Sequence, residues 1–196
     1  MENINKEKLN DVFFNVRKAY RLLYEYQSKI LNLAKFIGDY YSYSYYGGWP
    51  LYSGACPKAG KGALDNWAWD WLNMYAYAFH FGSKQIQDEN VFFEIRIYSD
   101  TGFYDSQVKE PLKIETFTTE KVSKTKIVLI ASNLEWNPNK LLENFNSETD
   151  EYNIRSEDLN ICAKSYNLED FLNEETTIIA LNNFSEYCNK NEIKIE

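Results

Sequence analysis

The chain has one histidine, His80, and that scarcity removes several chemistries at once. Histidine-rich metal sites and paired-histidine phosphoester chemistry need more than one imidazole. Cysteine is nearly as rare. Cys56, Cys162 and Cys188 are an odd number with no short spacing among them, which matches neither a disulfide framework nor a zinc site. Long apolar runs are missing too. The longest strongly apolar stretch, Ile127 to Ala131, falls far short of the roughly 20 residues that cross a bilayer. Met1 to Asp11 is charged and has no apolar signal region. These absences lead to the expectation of a soluble, cytoplasmic protein in a reducing setting, with no membrane contact and no cofactor.

Positive charge is scarce in one part of the chain. Of a net −8, residues 1–134 carry almost none, with 16 Lys/Arg against 15 Asp/Glu, whereas residues 135–196 carry 5 against 14. The excess runs from Glu143 and Glu148 through Asp150, Glu151, Glu157 and Asp158 to Glu169, Asp170, Glu174 and Glu175. Such a surface repels phosphate backbones, so direct nucleic-acid binding is disfavoured; it would suit a basic protein partner, or imitation of nucleic acid. A solvated acidic face kept for solubility is the plainer alternative.

Aromatic residues, by contrast, are abundant, at 17% of the chain with 16 tyrosines. From Trp67 to Phe81 they occupy nearly every odd position, the two-residue repeat of a strand, interrupted at Asn73 where a bend is expected. A second strand follows at Val91–Tyr98, paired with the first by a hairpin across the polar loop Gly82–Asn90. Lys126–Ala131 reads as a central strand, and Leu159, Ile161 and Ala163 as a short further one. Upstream, Leu9, Val16, Leu23, Ile30 and Ile37 recur every seven residues. Val12, Ala19, Tyr26, Leu33 and Tyr40 repeat the pattern three residues on, with no glycine before Gly38. This is a long helix or a helical pair. Phe13, Tyr20 and Tyr41 widen its stripe, which suits packing within the domain, while the heptads also suit a homodimer through this helix. Helices are expected from Pro138, capped by Asn137, and after Asn173.

The fold class is therefore α+β in one domain over residues 1–196: a long N-terminal helix or helical pair, an antiparallel sheet of about three to five strands, and C-terminal helices. Its parts are a helical segment at 1–41, a Tyr/Ser/Gly-rich loop at 42–66, the sheet at 67–131 and an acidic helical part at 132–196.

The loop carries the best candidate site. Tyr43, Tyr45, Tyr46, Trp49 and Tyr52 sit among serines and glycines, the composition of antibody recognition loops, where tyrosine gives wide contact at low entropy cost. The same rings could simply cover the sheet. Catalytic patterns are weaker. Gly54 to Gly62 resembles the spacing of a phosphate-binding loop, but is one residue too long and has Gly62 where a hydroxyl is needed. A Cys56–His80 nucleophile pair lacks any signature around it. Asp70 and Glu94, expected on strands, could hold a metal ion for hydrolysis. However, Arg96 stands where such sites use lysine, and arginine does not give up its proton. A Glu94–Arg96 pair on the solvent side of the sheet is the simpler expectation. The tryptophans Trp49, Trp67, Trp69 and Trp71 could form a stacking platform or a core row. The reading that fits best is a non-enzymatic interaction protein of inhibitor, immunity or regulatory type. It would bind a protein through the aromatic loop and the acidic C-terminal surface. A metal-dependent hydrolase and a sugar- or nucleotide-binding domain with an aromatic pocket are the alternatives.

Overall fold

The computed structural model describes residues 6–54, 68–110, 113–133, 148–156 and 158–196. The chain divides into two compact units, Met1–Phe36 and Ile37–Glu196.

The first unit is the body of helix α1 (Lys6–Tyr40), one unbroken helix of 35 residues rather than a pair. Apolar side chains of its N-terminal half stay open: Val12, Phe13, Phe14 and Val16, then Tyr20, Leu22, Leu23 and Tyr24, are all exposed, whereas Ile30 and Ala34 further along are buried. Lys18 Nζ lies 4.4 Å from the centre of the Phe14 ring, a cation–π contact one turn apart.

The helix runs through Gly38 and stops without a glycine beyond it. Tyr43 N–H donates to the Gly38 carbonyl at 2.9 Å and Ser42 N–H to that of Asp39 at 3.1 Å, with Ser42 in the left-handed region at φ 57°. That double bond with a left-handed residue is a Schellman stop. The second helix, α2 (Glu174–Lys190), ends the same way. Ile193 N–H bonds the Cys188 carbonyl at 2.9 Å, Glu192 N–H bonds that of Asn189 at 3.1 Å, and Glu192 has φ 64°. Helix α2 begins where expected. The Asn173 side chain accepts from Thr176 N–H at 3.0 Å in a capping box, and Glu174 and Glu175 occupy the positive end of the dipole.

The second unit is a six-stranded antiparallel sheet: β1 (Gly47–Pro50), β2 (Ala76–Ile86), β3 (Glu89–Tyr98), β4 (Lys126–Ser132), β5 (Glu151–Arg155) and β6 (Asn160–Asn167). Their order is β1-β2-β3-β4-β6-β5. The sheet exceeds the expected three to five strands because it recruits β1 from the presumed loop and β5 from the presumed helical part, while β6 lengthens the short strand expected around Ile161. Strand β4 is buried at every residue, as its unbroken apolar run requires of a central strand. The β2–β3 loop is shorter than expected, because β2 runs on to Ile86.

A larger correction concerns Trp67–Phe81. The strand starts only at Ala76; Ala68–Trp71 and Asn73–Tyr75 are 3-10 turns, closed by Leu72 N–H on the Trp69 carbonyl and Tyr75 N–H on that of Leu72, both at 2.9 Å. A fifteen-residue strand would outrun its neighbours, since β3 has 10 residues and β1 has 4. The excess folds back and packs. Trp69 and Tyr75 lie 4.7 Å apart between centroids, with Tyr52, Phe103 and Phe117 against them. Trp67 and the helix expected from Pro138 lie outside the described residues.

The two faces of the sheet differ. Phe79, Phe81, Val91, Phe93, Ile95, Ile97, Ile127 and Leu129 point to one face. Against it pack the rings of Tyr41 and Phe184, and Ile37, Leu181 and the C-terminal Ile193 and Ile195 are buried as well. The Tyr41 ring meets Phe93 at 5.4 Å, and its hydroxyl donates to the Leu181 carbonyl at 2.6 Å. Glycine is needed at position 38, because a Cβ there would stand 2.3 Å from Phe81 Cε1. Cys162 and Cys188, far apart in sequence, meet on this face as buried free thiols. The opposite face carries Ala76, Tyr98, Val128, Ile130, Ile161 and Ala163, with a polar row running through it.

Candidate functional site

That row begins with neighbours across β2 and β3: His80 is paired with Glu94, and Ala78 with Arg96. Because alternate residues of a strand share a face, Glu94, Arg96 and Tyr98 line up on β3. Arg96 Nε donates to Glu94 Oε1 at 2.6 Å, with the two residues 2% and 1% exposed. The expectation of a solvent-side pair is therefore wrong. The face is covered, by Tyr104 among others, whose ring meets Tyr98 at 4.8 Å. Burial holds the Glu94 carboxyl above the ordinary carboxylate range, with Arg96 and then His80 drawing it back. The guanidinium loses by burial and gains more from Glu94 and Tyr98, so it stays charged. Burial also pushes the Tyr98 phenol up, to about 12.

His80 extends the row towards the sheet edge. Its Nδ1 stands 4.0 Å from Glu94 Oε2, beyond hydrogen-bond reach, and has no hydrogen-bond partner among the described residues. The ring is enclosed by two aromatics of the Tyr-rich segment, Tyr46 and Trp49, each with its centroid 5.7 Å away.

The segment itself is β1 and its approach. Tyr46 N–H donates to the His80 carbonyl at 2.8 Å, and Gly47 to Pro50 continue the ladder along β2. Gly48 permits this approach, since a Cβ there would lie 2.6 Å from the Ala78 carbonyl oxygen. Strand β1 is outermost, and Pro50, which cannot donate, fits an edge.

The five candidate residues separate into three groups. Tyr43 is buried: its hydroxyl donates to the Val91 carbonyl at 3.1 Å and its ring lies against Phe93 at 5.4 Å. Tyr52 is half-buried in the cluster with Trp69, Tyr75 and Phe103, where burial pushes its phenol up to about 12. Both are packing residues. Tyr45 and Tyr46 are open, 57% and 81% exposed, and straddle the edge. The Tyr45 ring reaches Phe81 on the helix-covered face, at 5.8 Å, and Tyr46 reaches His80 on the other. Trp49 lies between these extremes, half-buried, with an indole Nε1 that has no hydrogen-bond partner among the described residues. Sequence reasoning missed His80 as part of this site. Its pairing with Gly47 across β1 was invisible while that segment read as loop.

The metal-ion alternative finds little to build on. Asp70 lies on a 3-10 turn rather than a strand, and its Oδ1 accepts from Gly54 N–H at 2.7 Å. Glu94 is committed to Arg96. Among the described residues no three His, Cys, Asp or Glu side chains stand close enough to hold an ion. Cys56 and the glycine-lysine segment that follows lie outside the described residues. No helix among them is long and apolar enough to cross a membrane.

A groove of about 700 Å³ lies between the β2–β3 hairpin tip and the end of α2. It is lined by Gln87, Asp88, Glu89, Asn189, Glu192 and Lys194, among others. Lys194 Nζ and Gln87 Oε1 close one end at 3.1 Å.

The family model PM0109 matches residues 6–193, and the chain belongs to the PM0109 family. The family's name specifies no activity. No curated protein and no solved structure matches the chain.

Proposed function

We propose that this protein is a non-enzymatic interaction module, of inhibitor, immunity or regulatory type, that captures a basic protein partner at the β1 edge of its sheet. The observation that carries the reading is the two open tyrosine rings, Tyr45 and Tyr46, one on each face of the edge, with Trp49 on the Tyr46 side and its Nε1 without a hydrogen-bond partner among the described residues. A buried donor without an acceptor costs roughly 1–3 kcal/mol, and a partner that supplies the acceptor recovers it. Tyrosine and tryptophan anchors at the centre of an interface carry most of its energy.

Charge supports the choice of partner. Glu148, Asp158, Glu169, Asp170, Glu174 and Glu175 are exposed, and residues 135–196 carry only 5 Lys/Arg against 14 Asp/Glu. A field of one sign speeds encounter with a partner of the other. A location inside the cell fits the lack of any disulfide among the described residues. The Glu94–Arg96 pair serves as a fixed floor beneath His80.

Affinity capture from the native cell, with wild type, Tyr46→Ala and Trp49→Phe run in parallel, tests the proposal. A basic protein should be retained by wild type and lost by both variants, while the melting temperatures stay within about 2 °C of wild type. Equal retention by all three would refute the site. A large stability loss in Tyr46→Ala would show that the ring is packing.

A further inference from the structure

The open face of α1 is independent of that edge site. A helix in water is marginal on its own, and helices in proteins owe most of their stability to an apolar face packed on something. Yet Val12, Phe13, Val16, Tyr20, Leu22 and Leu23 are between 38% and 70% exposed, within three turns of helix. Contiguous apolar patches of that kind mark an interface.

We infer that this face is covered by a second copy of the same helix, in a parallel, in-register two-stranded coiled coil. Three observations favour a copy of the chain over any other occupant. The first is the repeat: Leu9, Val16 and Leu23, with Val12, Ala19 and Tyr26, keep the seven-residue spacing that supercoiling demands, whereas a helix lying on a sheet needs no such spacing. The second is charge. In a parallel pair the flanking positions bring Lys8 of one copy beside Phe13 of the other, Asn15 beside Tyr20, and Leu22 beside Gln27, so no like charges meet. The third is area. Six side chains covering about 100 Å² each give about 600 Å² per helix and about 1,200 Å² in all, the lower bound of a stable specific interface. The basic residues Arg17, Lys18 and Arg21 stay outside the seam, with Lys18 over Phe14.

The test is the mass of the full chain by light scattering and sedimentation equilibrium over a dilution series. Wild type should have twice the mass of one chain and dissociate on dilution. Val16→Asp with Leu23→Asp should weaken self-association more than about a hundredfold, because each buries an unpaired charge in the seam. Tyr24→Ala, off the seam, should leave it unchanged. Leu23→Cys should give a covalent dimer on oxidation that the wild-type cysteines do not give, which reports the parallel register. A monomeric wild type, or a dimer indifferent to the paired aspartates, overturns the inference. So does a monomer whose helix binds anionic lipid vesicles, the fate of a basic amphipathic helix that seeks a membrane surface. Unaltered far-ultraviolet circular dichroism of the second unit's sheet controls for unfolding.

Discussion

Removing one member of the Glu94–Arg96 pair should destabilise the protein strongly, and the two possible removals should differ in how they respond to pH. Both side chains are all but inaccessible, and they touch at 2.6 Å. Losing one partner from such a pair costs about 3–5 kcal/mol, because the survivor is left charged and dry. In Glu94→Leu the survivor is Arg96, which cannot shed its proton, so the loss should persist from pH 5 to pH 8. In Arg96→Met the survivor is a carboxyl with an ordinary pKa of 4.5 that can take a proton instead. At 1.36 kcal/mol per pH unit, neutralising it costs about 3.4 kcal/mol at pH 7 and about 0.7 kcal/mol at pH 5. The sign follows from linkage. A carboxyl whose folded pKa is raised contributes stability that is complete below its unfolded value and lost as pH rises through the folded one. Arg96→Met should therefore approach wild type on acidification, and Glu94→Leu should not. The double variant Glu94→Leu/Arg96→Met should lie within about 1 kcal/mol of wild type or above it. Urea unfolding at pH 5 and pH 7, read from the midpoint at constant slope, measures all three. A Glu94→Leu loss below about 1 kcal/mol, or one that fades at pH 5, would refute the claim that the pair is buried and charged.

Two further outcomes can be measured on the free protein. Gly38→Ala should lose about 1–3 kcal/mol, because the new methyl would sit 2.3 Å from Phe81 Cε1 and the ring is hemmed in by Phe93 at 5.6 Å. A thermal shift within a degree of wild type would show that the ring moves aside freely. At alkaline pH the half-buried phenol of Tyr52 and the buried one of Tyr98 should keep their protons to about 12, against 10.0 unfolded, so stability should be complete below pH 10 and fall between pH 10 and about 12. Tyrosinate absorbance followed alongside circular dichroism checks this; full ionisation near pH 10 with the fold intact would contradict it.

What could be read from the sequence was what a single element determines by itself. The heptads of α1, the unbroken apolar run of β4 and the Asn173 cap each express a local rule, and each appears where its residues placed it. The helix stops did not, because both use a left-handed non-glycine residue, Ser42 and Glu192, where a glycine would have announced the turn. Strand β1 was hidden because Gly47-Gly48-Trp49-Pro50 carries every mark of a loop. Only the surface of β2, with the Ala78 carbonyl lying where a Cβ of residue 48 would be, makes Gly48 a condition for the strand. The alternation of Trp67–Phe81 misled for the converse reason. Period two is necessary for a strand but does not supply a neighbour to pair with, and among the described residues no strand pairs with residues 68–75.

The candidate site was only half legible for the same reason. Tyr43 and Tyr46 are three residues apart in one tyrosine-rich run, and nothing local distinguishes them. The difference is set by where the Schellman stop releases the chain. Tyr43 leaves the helix directly under Phe93, and its hydroxyl takes the Val91 carbonyl. By Tyr46 the chain has reached the end of the β1–β2 ladder, midway along β2, where the backbone bond to the His80 carbonyl leaves the ring 81% exposed. Tyr45 and Tyr46 are therefore exposed by the register of β1 on β2, not by their own chemistry. A change that shifts that register, such as a bulky residue at Gly48, would bury or displace both rings together. The edge site and the sheet edge are thus one structural feature, and binding and sheet integrity should fail together there while separating at Tyr46 itself.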